Sequence, residues 1–255
     1  LPDNPDEILK ISYKQLKRPE KDILQVIAFY GPAISRQRLN ELIGKDISSI
    51  DKIVKKLAGK GFLKREDGKI RFINPFMRET VKRYTSRQKK RKLNRIIAEN
   101  LEKDSSASAR QIAEHFIEAG ELEKGFEYGL KAADELADKY EHYDSYDILV
   151  KLKKLIRRNR SEEQLKEVLT RLAKIELLAG LVDNSIKDYE ELISLESDKN
   201  KISVYYKELG IINASFLGKK DKPIKLFNKG LIYAHQAENK SLKSEILLEL
   251  SVLLK

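Results

Sequence analysis

The sequence has no cysteine. That excludes disulfides, thiolate zinc sites and cysteine nucleophiles together, and it fits a reducing cytoplasm. Long apolar runs are also absent, so neither a membrane span nor a membrane partner is expected. The opening residues, "LPDNPDEILK", have no initiating Met and no secretory pattern. The chain therefore reads as a segment of a longer protein. Phosphate-cradling stretches of the types G-x-x-x-x-G-K-[ST] and G-x-G-x-x-G are missing. His115, His142 and His235 are scattered and lack clustered carboxylates, and no nucleophile–base pair stands out. The expectation is a non-catalytic chain with no cofactor and no metal.

What remains can build a core. The chain has 255 residues and 41% hydrophobic side chains, enough for one or two domains. The net charge of +11 is uneven. Residues 1–104 hold 26 Lys+Arg against 14 Asp+Glu, and residues 105–255 hold 25 against 26. The change coincides with the polar stretch "EKDSSASAR" at 102–110. The expected domains are 1–104 and 105–255.

In the first part Pro19 starts a periodic run with Ile23, Val26, Ile27 and Tyr30 on one face, and Gly31-Pro32 stops it. Ser35 is placed to cap a short helix that ends at Gly44. Ser48, with Asp51 three residues on, is expected to open a third helix, with Ile50, Ile53, Val54 and Leu57 as its apolar stripe. "FLKRE" and "KIRFI" then read as strands joined by Asp67-Gly68, a dipeptide suited to a tight hairpin. Three helices and a hairpin make a winged helix-turn-helix. Its third helix carries Lys52, Lys55, Lys56 and Lys60 outward, and the wing adds Lys64, Arg65, Lys69 and Arg71. Those residues could contact phosphate. The helix has no Arg, Asn or Gln to read bases, so only weak nucleic-acid contact is expected. The unit is either a DNA reader or a folded joint. "RETVKRYTSRQKKRKLNR" (78–95) holds nine basic residues and one acid. It reads as a basic helix pair, or as a surface for nucleic acid or an acidic partner domain.

The second part repeats itself. "FIEAGELEKGFEYGLKAADELA" (116–137), "ELLAGLVDNSIKDYEELISLE" (176–196) and "SFLGKKDKPIKLFNKGLIYAHQAEN" (215–239) share a plan. Each has a helix ending at Gly120, Gly180 or Gly218. Five residues on comes Gly125, Ser185 or Pro223, and then an apolar residue. This is the plan of tetratricopeptide repeats, an α-solenoid of helical hairpins with a period of about 34 residues. The gap of 60 between the first two glycines is expected to hold an irregular unit at 139–158. Ile202, Tyr206, Leu209, Ile212 and Phe216 are expected to pack between neighbours. The register puts Glu167, Thr170, Lys174, Lys207 and Ile211 in the concave groove, which would bind a protein or peptide or another part of the same polypeptide. "SLKSEILLELSVLLK" reads as the first helix of an incomplete repeat. Ile246, Leu247, Leu250, Leu253 and Leu254 form one broad apolar face, so self-association through that helix is expected.

The order of elements resembles a known family. "LPDNPDEILKISYKQLKRPEKDILQVIAFYGPAIS" resembles the segment that follows the nucleotide-binding core in bacterial STAND-type signalling ATPases. "LAGKGFLKREDGKIRFINPFMRETV" is similar to their winged-helix end, with Asn74-Pro75-Phe76 standing where the family has a histidine-containing stretch. "RQIAEHFIEAGELEKGFEYGLKAA" resembles the start of their tetratricopeptide array. The resemblance implies an upstream ATPase domain in the same polypeptide, a winged helix that packs against it as a switch joint, and repeats that sense a partner. The alternative is a DNA-binding transcriptional regulator with the repeats as its sensor.

Overall fold

Pro19 opens a helix without penalty, because a first-turn N–H has no helical acceptor to lose. In a computed structural model that describes residues 5–44, 46–217 and 221–254, that helix is α2 (Arg18–Tyr30), preceded by α1 (Pro5–Lys14). Glu20 closes the start of α2: its carboxylate accepts from the Lys17 backbone N–H at 2.7 Å. Helix α3 (Arg36–Ile43) is capped by Ser35, whose Oγ accepts from the Arg38 N–H, and Gly44 ends it at φ 64°. Helix α4 (Ile47–Gly59) is capped by Asp46, not by Ser48 as expected. The Asp46 carboxylate accepts from the Ser49 N–H and from the Ser48 hydroxyl. Asp46 stands just before the first helical residue, Ile47, whereas Ser48 lies inside the first turn and donates to Asp46.

Strands β2 (Leu63–Glu66) and β3 (Lys69–Phe72) pair antiparallel through Asp67 at φ 51° and Gly68 at φ 70°. Both central residues are left-handed, as a twist-matched two-residue turn requires. Strand β1 (Ile34–Ser35) adds to the other edge of β3, giving the order β1-β3-β2. Helices α5 (Pro75–Arg83), α6 (Arg87–Leu101) and α7 (Ala109–Ala119) follow. Helix α2 is the hub: α3, α4, α5, α6 and β3 all touch it, and Leu24 and Ile27 are fully buried there among Leu39, Ile50, Leu57 and Ile70. Helix α7 packs on α6.

Helix α8 (Leu122–Asp138) crosses the division between two compact units, which falls between Gly125 and Phe126. The charge change at 104 and this packing division mark different things: α7 lies beyond the first yet packs with the basic helix α6. In the second unit come α9 (His142–Asn159), α10 (Glu162–Leu178), α11 (Val182–Leu195), α12 (Lys199–Leu217), α13 (Asp221–Gln236) and α14 (Lys240–Leu253). From α10 onward each helix packs on the one before it. Among the described residues the chain is mostly helical, and no helix is long and apolar enough to cross a membrane.

The repeat has a different register from the one the glycines suggest. Left-handed residues stand at Gly120, Tyr140, Arg160 and Gly180, one every 20 residues, and again at Glu238. Stretch 139–158 is not irregular: α9 is a regular helix entered through a left-handed Tyr140. The Ser145 hydroxyl donates to the Ala133 carbonyl, and the Ser185 hydroxyl to the Ala173 carbonyl, so the α8–α9 pair recurs in α10–α11 after 40 residues. Gly120 and Gly180 are therefore three helices apart, not successive repeats. Gly218 lies outside the described residues. Of the expected packing residues, Ile202, Leu209 and Ile212 are buried and Tyr206 stacks on Tyr233, but Phe216 is 56% exposed. It sits in the last turn of α12.

Three of these turns use a residue that dislikes its backbone. A left-handed L-residue costs about 1–2 kcal/mol, while glycine costs roughly 0.5–1 kcal/mol in chain entropy. Arg160→Gly should therefore stabilise the second unit by about 0.5 kcal/mol, and Gly180→Ala should destabilise it by about 1 kcal/mol. Urea midpoints at constant slope check both. A fall in midpoint for Arg160→Gly would contradict the left-handed turn.

Candidate functional site

Five of the eight basic side chains singled out on α4 and the hairpin are paired with carboxylates of the same unit. Lys56 and Lys60 converge on buried Glu20, at 3.2 and 2.8 Å. Burial pushes the Glu20 carboxyl up, but hydrogen bonds from Lys60, from the Lys17 N–H and from Lys56 outweigh it and hold the group at about 2. Arg65 pairs with Asp51 at 2.8 Å, and Arg36 joins the same carboxylate. On the hairpin, Lys64 and Arg71 share Glu66. Lys52, Lys55 and Lys69 are exposed and have no ion pair among the described residues. Of the eight candidate phosphate contacts, three are thus uncommitted.

His115 is half-buried on α7, and its Nδ1 lies 2.8 Å from Asn94 Oδ1 on α6. Burial, joined by the charges of Lys82 and Arg78 and opposed by Glu114, lowers it to about 4. It is a packing histidine that ties two helices of the first unit. His142 and His235 lie in α9 and α13, and the described residues hold no cluster of three or more metal-ligating side chains.

The five expected groove residues divide. Glu167 and Thr170 on α10 line a cleft of about 540 Å³ together with Gln164, Glu196, Lys201 and Tyr205. Lys174 is exposed on the same helix but does not line the cleft. Lys207 pairs with Glu245 of α14 at 2.8 Å, and Ile211 packs into the cluster formed by α13 and α14. Helix α14 lies against α12 and covers these two positions, which is why they are not in the same cleft as Glu167.

The cleft has unmet hydrogen-bonding capacity. Gln164 Oε1 and Glu196 Oε2 are buried with no hydrogen-bond partner. Glu196 Oε1 accepts from the Ser197 and Asp198 N–H groups, and Lys166 and Lys201 stand 3.7 and 3.6 Å from the carboxylate. Burial pushes Glu196 up, yet the backbone N–H groups and the two lysines bring it below the usual range. A buried acceptor without a donor costs about 1–3 kcal/mol, so a ligand N–H placed there would recover much of that. Gln164, Glu196 and Tyr205 were not singled out by sequence reasoning. Gln164 lies three residues before Glu167 on one helical face, which was a usable signal; Glu196 lies between α11 and α12 and gives none.

Helix α14 does not present one continuous apolar face. Ile246 is buried, and Leu250 and Leu253 pack against the cluster around Phe227. Leu247, Leu248, Val252 and Leu254 are 48–66% exposed. Charge substitutions meant to probe association belong at Leu248 and Val252 rather than at Leu250, which points inward.

No protein-family model and no curated protein matches the chain. Among solved structures, it is similar to a signal transduction ATPase with numerous domains (STAND) protein with a tetratricopeptide repeat sensor from Pyrococcus horikoshii, at 13% identity and a TM-score of 0.46. All of this chain is covered, and it spans half the length of that protein. It is also similar to the apo quorum sensor NprR from B. thuringiensis, at 12% identity and a TM-score of 0.33, over 94% of this chain and 73% of that one. At these TM-scores the likeness decides neither the path of the helices nor the function.

Proposed function

We propose that the chain is a non-catalytic regulatory segment of a multidomain, cytoplasmic signalling ATPase, and that its helical array binds a protein or peptide partner in the cleft of α10–α12. The observation that carries this reading is Gln164 Oε1, buried with no hydrogen-bond partner among the described residues, beside the Glu196 carboxylate, Glu167 and Thr170. A polypeptide backbone offers N–H donors at a spacing that suits such a cleft. The helices α2–α4 with the β2–β3 hairpin are read as a winged helix. It serves as a joint against an upstream nucleotide-binding domain, and no ATP site is assigned to this chain. Self-association through α14 would use its exposed residues.

A DNA-binding reading is favoured by Lys52, Lys55 and Lys69, which are exposed and have no ion pair among the described residues, and by the exposed Arg87, Arg91 and Lys92 of α6. Phosphate contacts of that number give weak affinity that falls steeply with salt and carries no sequence preference.

Selection of displayed peptides against the full chain, followed by counter-screening on Thr170→Arg, tests the proposal. Peptides that lose affinity by about tenfold or more on the variant are expected. DNA titrated by anisotropy at two salt concentrations should bind weakly and without preference. One DNA sequence bound tightly at physiological salt, with no peptide sensitive to Thr170→Arg, would reverse the assignment.

A further inference from the structure

A second cleft in the helical unit has a floor that is short of one positive charge. Helices α9, α10 and α11 enclose a space of about 300 Å³. Glu176 on α10 and Asp188 on α11 lie in its wall, 3% and 6% exposed. Lys153 on α9 donates to Asp188 Oδ1 at 2.6 Å. Asp188 Oδ2 and Glu176 Oε2 have no hydrogen-bond partner among the described residues. Lys153 bonds Asp188, also stands 3.7 Å from Glu191, and acts on Glu176 only through its charge. Burial, then the charge of Asp188, push Glu176 up to about 7 against the opposing pull of Lys153. Asp188 is raised as well, by burial working against its bond to Lys153. Buried carboxylates left without donors are costly, and the missing partner is an N–H cation.

The rim is the reverse. Arg157 is committed to Glu191 at 2.6 Å. Lys154 and Lys187 line the cleft, are exposed, and have no ion pair among the described residues. The lining also includes Tyr146, Val150 and Leu172. A simple anion would meet the carboxyl groups of the floor. A simple amine would satisfy the floor but leave the rim cations unmatched.

We propose that this cleft binds an amino-carboxylate, its ammonium on Glu176 and Asp188 and its carboxylate on Lys154 and Lys187. The methylenes between the two charges pack on Tyr146, Val150 and Leu172. The source is a free amino acid or the same pair of groups in a peptide, a lysine followed by an acidic residue. The site is separate from the α10–α12 cleft and does not depend on the partner reading: Thr170→Arg leaves it intact, so the two fail or hold independently.

Binding an ammonium requires ionised Glu176. The titratable and charged groups that line the cleft with it are Asp188 and Lys187 from α11 and Lys153, Lys154, Arg157 and Tyr146 from α9, and Glu191 acts on Asp188. Affinity should rise by up to about tenfold per pH unit below about pH 7 and level off above it, with a proton released on binding.

Calorimetry on the full chain, in buffers of different ionisation enthalpy, tests this with ε-aminocaproate, L-lysine and the blocked dipeptide acetyl-Lys-Asp-amide. Hexylamine and hexanoate are the half-ligands. At least one amino-carboxylate should bind about tenfold or more tightly than either half-ligand. L-lysine against the dipeptide tells which source fits. Glu176→Gln should lose the proton release and about tenfold or more in affinity. Lys187→Glu, at an exposed position that does not endanger folding, should weaken the amino-carboxylates and spare hexylamine. The proposal is overturned if none of the three binds at millimolar concentration, if hexylamine binds as well as they do, or if Lys187→Glu changes nothing.

Discussion

Glu176→Gln should make the second unit more stable at about pH 8, by about 3 kcal/mol, and change it little at about pH 4.5. The folded chain raises this carboxyl to about 7 from an ordinary 4.5. Between those values the unfolded chain has released the proton while the folded chain still holds it. The group's contribution is therefore full at low pH and is lost as pH rises from about 4.5 through about 7. Each pKa unit is worth about 1.4 kcal/mol, which sets the size of the loss. Glutamine has the shape of the protonated acid and does not titrate. Hydrogen-exchange protection of the α9–α11 amides, followed across pH, reads the effect. A variant less stable than the parent at about pH 8 would mean that Glu176 is held ionised by a donor. His115 gives the first unit the opposite slope: lowered to about 4, it favours the fold above its ordinary value of 6.5, and the benefit is lost as pH falls from there through about 4. Its half-exposed ring makes that effect the smaller of the two.

The contact between α12 and α13 should show an unusual rescue. Gly210 lies so close to Phe227 that an added Cβ would stand 2.5–2.8 Å from three ring atoms. The ring is buried and boxed in by Ala234, Leu242 and Ile246, so it has nowhere to swing. Alanine is better than glycine in a helix by about 1 kcal/mol, but overpacking costs about 1–3 kcal/mol and a fixed ring puts this case at the high end. Gly210→Ala should therefore destabilise by about 2 kcal/mol. Phe227→Ala should cost about 3–5 kcal/mol through the cavity it leaves. The double variant should be no worse than Phe227→Ala alone, because the new methyl enters space that the ring has vacated, giving a coupling of about 2 kcal/mol. Additive losses in urea titrations would show that the two residues do not touch.

The first unit was readable because its signals are local. Pro19, Ser35, Gly44 and the Asp67-Gly68 turn each act within a few residues, and each stands where its chemistry placed it. Asp46 was passed over for Ser48 because both are capping residues two positions apart. Strand β1 was hidden because two residues carry no period. In the second unit the helices were legible from their apolar spacing, but their register was not. Glycine marks a left-handed turn only when glycine fills it, and here Tyr140, Arg160 and Glu238 fill three. Glu176 and Asp188 look like ordinary solvated acids in a charged sequence, since nothing local says that α9 will cover them. Lys207 and Ile211 are alike in this: α14 comes from far along the chain to lie on them, and nothing local announces it.

The even spacing of the left-handed turns also defines what can be cut or copied. Removing 20 residues would send every later helix in the opposite direction and expose its buried stripe. Removing 40, from Glu141 through Gly180, joins α8 to α11 across one turn and sets the Ser185 hydroxyl opposite the Ala133 carbonyl, in the place of Ser145. The same operation in reverse is a duplication that lengthens the array without a new fold. The heritable module is thus a helix pair bounded by two like turns, and shortening or growth by whole pairs is the route along which this scaffold can change its length while keeping its faces.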